Sequence, residues 1–290
     1  MSDGAVNGVG GERFRRSGLR PVIARNLRTI VARSYVRVVG ANRETSWLLG
    51  DTVLPLLTVS AFVMVYRSFN APEAFVGYVV LGGVMAAYWL AMLWSMAMQF
   101  YWEKEMGNLE LYTMAPMSMM SILAGMVIGG LFMTSVRAVV ILIAGTLIFG
   151  VEYTFDQPFL AAGVFAVTLF ALYGLGLMFS SVFFLVGRRG WHIMSLLEEP
   201  VFFASGFYFP VKTLGAVAPF ITSFIPITLG LDAMRQLAFS DGRDMGFLSP
   251  GVEFLILIGL AVVFVVIAKF LLSYMERTGA KTGKILQRWQ

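Results

Sequence analysis

The 290-residue chain has no cysteine and only one histidine, His192. Without cysteine there is neither a disulfide scaffold nor a thiolate metal site, and the redox compartment stays open. With one histidine, a zinc site has no plausible ligand set. Charge is also scarce, at 13% of residues, while 58% are hydrophobic, against roughly 45–50% apolar in soluble domains. Such a composition calls for lipid as solvent, and the unit to count is the membrane span. The net charge of +5 does not point to nucleic acid, because the Lys and Arg residues sit in the N-terminal segment, short loops and the tail. Residues 1–20 are basic and Gly-rich and lack the apolar stretch of roughly 7–15 residues that a cleavable signal needs. They are expected to be disordered, with the first span acting as insertion signal.

Residues 21–43 read as an amphipathic helix. Ile23, Leu27, Ile30, Val31, Tyr35 and Val38 share one face, and Arg25, Arg28, Arg33 and Arg37 the other. A basic amphipathic helix of this kind lies in the membrane interface, its arginines among phosphates. Residues 44–275 then hold six segments long enough to cross about 30 Å of hydrocarbon, and residues 276–290 form a basic tail. The segments are Trp47 to Tyr66, Phe75 to Tyr101, Ser118 to Phe149, Phe159 to Val186, Trp191 to Phe209 and Val252 to Tyr274. The fold class is therefore all-α integral membrane. Between the fifth and sixth segments, Pro210, Pro219 and Pro226 break an apolar stretch into short helices that dip into the interface.

Orientation follows from positive charge. Placing both termini in the cytoplasm puts sixteen Lys and Arg residues inside and four outside, as expected for a plasma-membrane protein. The segment after the second span, YWEKEMGNLELYTMAPMS, then lies inside and carries Glu103, Lys104, Glu105 and Glu110. Acidic residues there do not serve the charge rule. Helix-compatible residues run from Glu103 to Met114, and Pro116 ends the helix by biasing Ala115 away from α. A short acidic helix parallel to the membrane suits docking to a soluble partner.

In this segment Glu103, Glu105, Gly107, Leu109, Glu110, Leu111, Pro116 and Ser118 match the coupling-loop pattern of type-2 ABC transporter permeases, whereas Asn108 stands for the usual Thr and Tyr112 for a usual Leu. A second stretch is similar to that family's S-G-x-x-F-P-V and P-x-T-x-x-L-D-A-x-R elements. It is carried by Ser205, Gly206, Phe209, Pro210, Val211, Pro226, Thr228, Leu231, Asp232, Ala233 and Arg235. The resemblance covers about residues 20–275. It implies six spans, an interfacial N-terminal helix, a coupling helix and an external re-entrant helix pair before the last span. It also implies a dimer of permeases, as a homodimer or with a similar chain, and two separate ATPase subunits that bind the ATP and Mg²⁺. Coupling to the ATPase falls on Glu103, Glu105, Gly107, Leu109, Glu110 and Leu111, and the external element on Ser205, Gly206, Pro210, Pro226, Asp232 and Arg235.

The chain itself offers no phosphate loop. GAKTGKI at Gly279–Ile285 has three residues between its glycines instead of four, and Ile285 stands where a metal-binding Ser or Thr is required. It reads as basic tail facing anionic headgroups. Charges within spans need a reason. Lys269 can snorkel, Asp51 stays at the interface or bonds the N-terminal helix, and Arg137, near the middle of the third span, is expected to pair with Glu198 or Glu199 of the fifth. His192 and Ser195 share a helix face, but no third group orients them, so they read as a polar pair and not a catalytic dyad. The 18 methionines and the Phe-rich spans read as packing and lipid-facing surface. The expected cargo is an amphipathic small molecule, with a lipid-linked glycan as the alternative. Glycan permeases carry a Tyr-Lys/Arg…Gly…Trp pattern before the first span, whose spacing Tyr35, Gly40 and Trp47 do not keep. An intramembrane enzyme lacks its motifs here, and a secondary transporter using Glu198 or Glu199 as a proton site is the other rival.

Overall fold

The computed structural model describes residues 19–41, 45–114, 118–186 and 189–282. The basic segment ahead of Leu19, Pro116, Arg188 and residues 283–290 lie outside them, as does the side chain of Asp51. Among the described residues the chain is helical, with no strand. In order it forms α1 (Leu19–Ala41), α2 (Thr45–Ser68), α3 (Ala74–Leu90), a π-helical segment (Ala91–Ala97), α4 (Gln99–Glu105), α5 (Asn108–Met114), α6 (Met119–Phe149), α7 (Pro158–Val186), α8 (Arg189–Ala204), α9 (Val217–Thr222), α10 (Pro226–Ala238) and α11 (Pro250–Thr282).

α3 is the central pillar, buried without a break from Val76 to Trp89. The side chains of Tyr88, Trp89, Met92 and Leu93 form the heart of the core with Leu172 of α7 and Phe207. α7 bridges the pillar to α10 and α11, while α6 holds α1 and α2. The outer faces of α6, α7 and α11 expose Phe132, Val139, Leu147, Phe170, Leu255 and Phe270. An apolar exterior around hydrogen-bonded helices is the arrangement that hydrocarbon, not water, solvates.

Four helical stretches are long and apolar enough to cross a membrane: Ala74–Glu105, Met119–Phe149, Pro158–Phe183 and Pro250–Met275. α2 adds the shorter apolar run Thr52–Ser68. The fifth expected segment differs most. Its helix stops at Ala204, five residues before the expected Phe209, because Gly206 turns into the left-handed region at φ 70°. At 16 residues α8 extends about 24 Å. The proline-broken stretch does form short helices, with Pro226 at the first turn of α10, where a missing N–H costs nothing. α10 is buried along almost its whole length, whereas α9 exposes Val217, Phe220 and Ile221.

α1 lies along α6 at backbone contact distance. A Cβ at Gly125 would stand 2.6 Å from the Ile30 carbonyl oxygen, and one at Gly129 2.7 Å from that of Ser34. This contact turns α1 so that Ile23, Leu27, Val31 and Tyr35 are exposed. Arg25 and Arg28 are exposed as well, but Arg33 and Arg37 turn inward and not outward to the headgroup phosphates expected to receive them. The neighbouring Gly130 has open space, its nearest atom being Ser95 Oγ at 4.0 Å. Gly129→Val is therefore expected to destabilise by about 1–3 kcal/mol through overpacking. Gly130→Ala is expected to be neutral or stabilising by up to about 1 kcal/mol, because it removes backbone freedom from a helix. Thermal unfolding of both variants in detergent checks the contrast.

Candidate functional site

Chain chemistry concentrates at the two ends of the α3 pillar. At one end the pillar passes through the π segment and breaks at Met98 (φ −86°, ψ 1°) into α4. A π turn inserts a residue into the helical ladder and is commonly found where function interrupts a helix. The expected single helix from Glu103 to Met114 is instead two short ones. α4 ends at Glu105, Gly107 adopts φ 76°, and α5 begins at Asn108. A left-handed residue costs an ordinary side chain about 1–2 kcal/mol, which accounts for glycine at that turn.

Glu103 faces inward, only 6% exposed. Its Oε1 accepts from Arg33 Nη2 at 3.1 Å and from Gln99 Nε2 at 2.8 Å. Its Oε2 accepts from Asn108 Nδ2 at 2.9 Å and from the Tyr112 hydroxyl at 2.6 Å. The Arg33 guanidinium also lies over the Tyr112 ring, 4.9 Å from its centroid. One carboxylate thus joins α1, α4 and α5. Burial and the adjacent Glu103 raise the Tyr112 phenol well above its ordinary range, so it remains a donor. Glu103, expected among the residues that meet a partner subunit, makes four hydrogen bonds within its own chain. Asn108 and Tyr112, the two departures from the family pattern, are the residues that complete its shell. Glu105 is half-buried, Met106, Leu111 and Met114 are exposed, and the side chains of Leu109 and Glu110 lie outside the described residues.

At the other end, Arg235 of α10 is buried and donates to four backbone carbonyls. Nη1 reaches Gly206 at 2.7 Å and Phe209 at 3.0 Å, and Nη2 reaches Phe207 at 2.6 Å and Tyr78 at 2.9 Å. Burial lowers the guanidinium to about 10, so it stays charged at neutral pH. Asp232 does not pair with it in these bonds. Asp232 Oδ2 accepts from Gln236 Nε2 at 2.9 Å and from the Phe247 amide at 2.8 Å. Gly206 and Arg235 therefore meet directly, Ser205 and Pro210 lie buried beside that turn, and Pro226 starts the helix that delivers Arg235. Sequence reasoning passed over Glu253, which is fully buried in α11 with neither carboxylate oxygen hydrogen-bonded. Its place at the head of a span, among Val and Phe, was the available signal.

The expected ion pair of Arg137 is not formed with either glutamate. Arg137 points back along α6 toward the Met133 carbonyl, and Glu198 accepts from the Trp94 indole at 2.9 Å, while Glu199 is exposed. Side chains on a helix lean toward its N-terminus, which carries this guanidinium away from mid-span toward α1. Ser195 donates to the Trp191 carbonyl of its own helix at 3.3 Å, and His192 is exposed.

Fold and site define an all-helical membrane protein whose central helix carries a compact helical loop at one end and a buried arginine clamp at the other. A family model described as ABC-2 type transporter matches residues 25–239, and the chain belongs to that family. It is thus a permease component of an ABC transporter, with ATPase activity in a separate partner subunit. No curated protein matches the chain.

Truncating Glu103 to Ala strands four donors and is expected to cost about 1–3 kcal/mol. Hydrogen exchange should then rise in residues 99–114 while α7 and α11 stay protected. Gly107→Ala should loosen the same segment by about 1–2 kcal/mol through backbone strain alone. Unchanged exchange in both variants would show that the node does not hold the loop.

Proposed function

We propose that the chain is the membrane permease of an ATP-driven exporter, with six spans, both termini in the cytoplasm, and two ATPase subunits bound to a permease dimer in the plasma membrane. The observation that carries this reading is the loop α4–α5. It is internally braced by Glu103 yet presents Met106, Leu111 and Met114 outward. Exposed apolar side chains on a rigid, polar-cored loop suit a soluble protein partner, since such anchors supply most of an interface's energy. In this reading Glu105, Leu111 and the flanking Leu109 and Glu110 touch the ATPase, Gly107 shapes the turn, and Glu103 positions it. Closure of the ATPases moves the loop, and the brace to α1 and the pillar carries that movement into the spans. The Arg235 clamp fixes α10 to the turn after α8 at the external end. The six-span count takes α2 and α8 as spans beside the four longer stretches. The 16-residue α8 spans together with the Gly206 turn.

The cargo in this reading is a hydrophobic or amphipathic molecule taken from the cytoplasm or inner leaflet, and the chain performs no chemistry on it. Replacing Leu111 and Met114 together by Glu should abolish co-purification of the ATPase and lower substrate-stimulated ATP hydrolysis in liposomes at least about tenfold. Insertion and thermal stability should stay near those of the parent, because both side chains are exposed. ATPase binding and hydrolysis at parental levels would place the docking surface elsewhere.

A further inference from the structure

Beside the Glu103 node, a cavity of about 300 Å³ opens between α1, the π segment and α6. Arg33, Arg37 and Arg137 line it, and the carboxylate among its described lining residues is Glu103. That carboxylate is already occupied by the four donors described above, Arg33 among them. Arg37 donates to neutral groups. Nη2 donates to Ser95 Oγ at 2.7 Å and to the Ser95 carbonyl at 3.4 Å. Burial, Arg137 and Arg33 all hold the Arg37 guanidinium below its ordinary range, and only Glu103 and Tyr173 oppose them. Arg33 Nε is buried without an acceptor. Arg37 is thus a half-buried guanidinium whose hydrogen bonds reach no carboxylate among the described residues. Its walls also include Met126, Met133 and Val36, and Phe132 and Val136, one turn apart on either side of Met133 in the α6 sequence, make an exposed apolar track.

We propose that this cavity binds the phosphate headgroup of an anionic membrane lipid, with the acyl chains lying along the exposed face of α6. Guanidinium groups match phosphate oxygens with forked, charge-assisted hydrogen bonds. The volume admits a headgroup and not a whole lipid, so the tails must stay outside, where the apolar track begins. A carboxylate or a free anion would satisfy the charge but would leave that track without a role. A headgroup seated here touches Arg33 and Arg37, and so braces α1 against the helix that leads to α4. The proposal rests on the permease reading only in assigning the site to the inner leaflet.

The test uses the full chain in phosphatidylcholine vesicles that contain a few per cent of a photoactivatable phosphatidylglycerol or, in a parallel sample, photoactivatable phosphatidylcholine. Adducts are mapped by mass spectrometry. Phosphatidylglycerol is expected to label Val36–Gly40 or Phe132–Val136 several-fold more than phosphatidylcholine. Arg37→Gln should lower that yield about tenfold, the usual consequence of losing one charged hydrogen bond, while Arg25→Gln, on the exposed face of the same helix, should leave it unchanged. Equal labelling by the two lipids overturns the proposal, and that comparison needs no variant to fold. An Arg37→Gln yield equal to the parent's also overturns it. Loss of the phosphatidylglycerol adducts on adding millimolar inorganic phosphate would mark a free-anion site and overturn the lipid assignment. No ATPase enters this measurement, so it stands or falls separately from the docking of Leu111 and Met114. Impermeant labelling of Asn108→Cys in the cysteine-free chain reports the leaflet separately.

Discussion

Everything near the loop depends on satisfying one carboxylate in a place that water barely reaches. An isolated buried carboxylate would be neutralised or would pull its helix apart, since the desolvation cost is several kcal/mol per ion. At Glu103 a guanidinium, two amides and a phenol converge to offset that cost. Each donor comes from a different position: Arg33 from α1, Gln99 from α4, Asn108 from the first residue of α5, and Tyr112 one turn later. Satisfying the charge therefore requires all three helices to be in place together. The same requirement explains why Gly107 must turn left-handed, because the chain has to reverse within two residues for Asn108 to return to Glu103.

The long helices were legible because hydrocarbon imposes a strong and simple constraint, roughly 20 apolar residues per crossing. The second, third, fourth and sixth expected segments coincide closely with the four stretches that qualify by length and composition. The fifth was less legible, since the expected stretch counted Phe207 and Phe209 as helical while the backbone at Gly206 had already turned. Hydropathy cannot register a φ angle. The π segment escaped for a similar reason: Ala91–Ala97 has the composition of any buried helix, and its altered ladder leaves no mark in a hydrophobic pattern.

For the site, residue positions were legible and directions were not. Acidic residues on the loop suggested docking, yet Glu103 faces the protein while Leu111 and Met114 face away. Sequence spacing within a loop of two short helices does not decide which face is inward until the Gly107 turn is known. Arg137 shows the same limit within a span. Counting residues puts its Cα near the middle of α6, but a long side chain can carry its charge a full turn from its Cα. Asn108 and Tyr112 looked like harmless substitutions in a familiar pattern, and the structure shows them to be two of the four donors to Glu103.

The two ends of the pillar solve the same problem with opposite charges. Arg235 is a buried cation satisfied by four carbonyls of the turn at Gly206 and of α3, and Glu103 is a buried anion satisfied by donors from three helices. For Arg235, three of the four acceptors are carbonyls of the non-helical turn at Gly206, Phe207 and Phe209, which hydrocarbon would otherwise leave unsatisfied, whereas the donors to Glu103 are side chains carried by three helices. Arg235 therefore makes the non-helical backbone of that turn tolerable in a buried place. A straight run of helix needs no such device, and the centre of α3, from Val79 to Leu90, carries no charged residue. The pillar is thus an uncharged helix between two polar clusters, with the π segment and the Met98 break as the points where its ladder is interrupted.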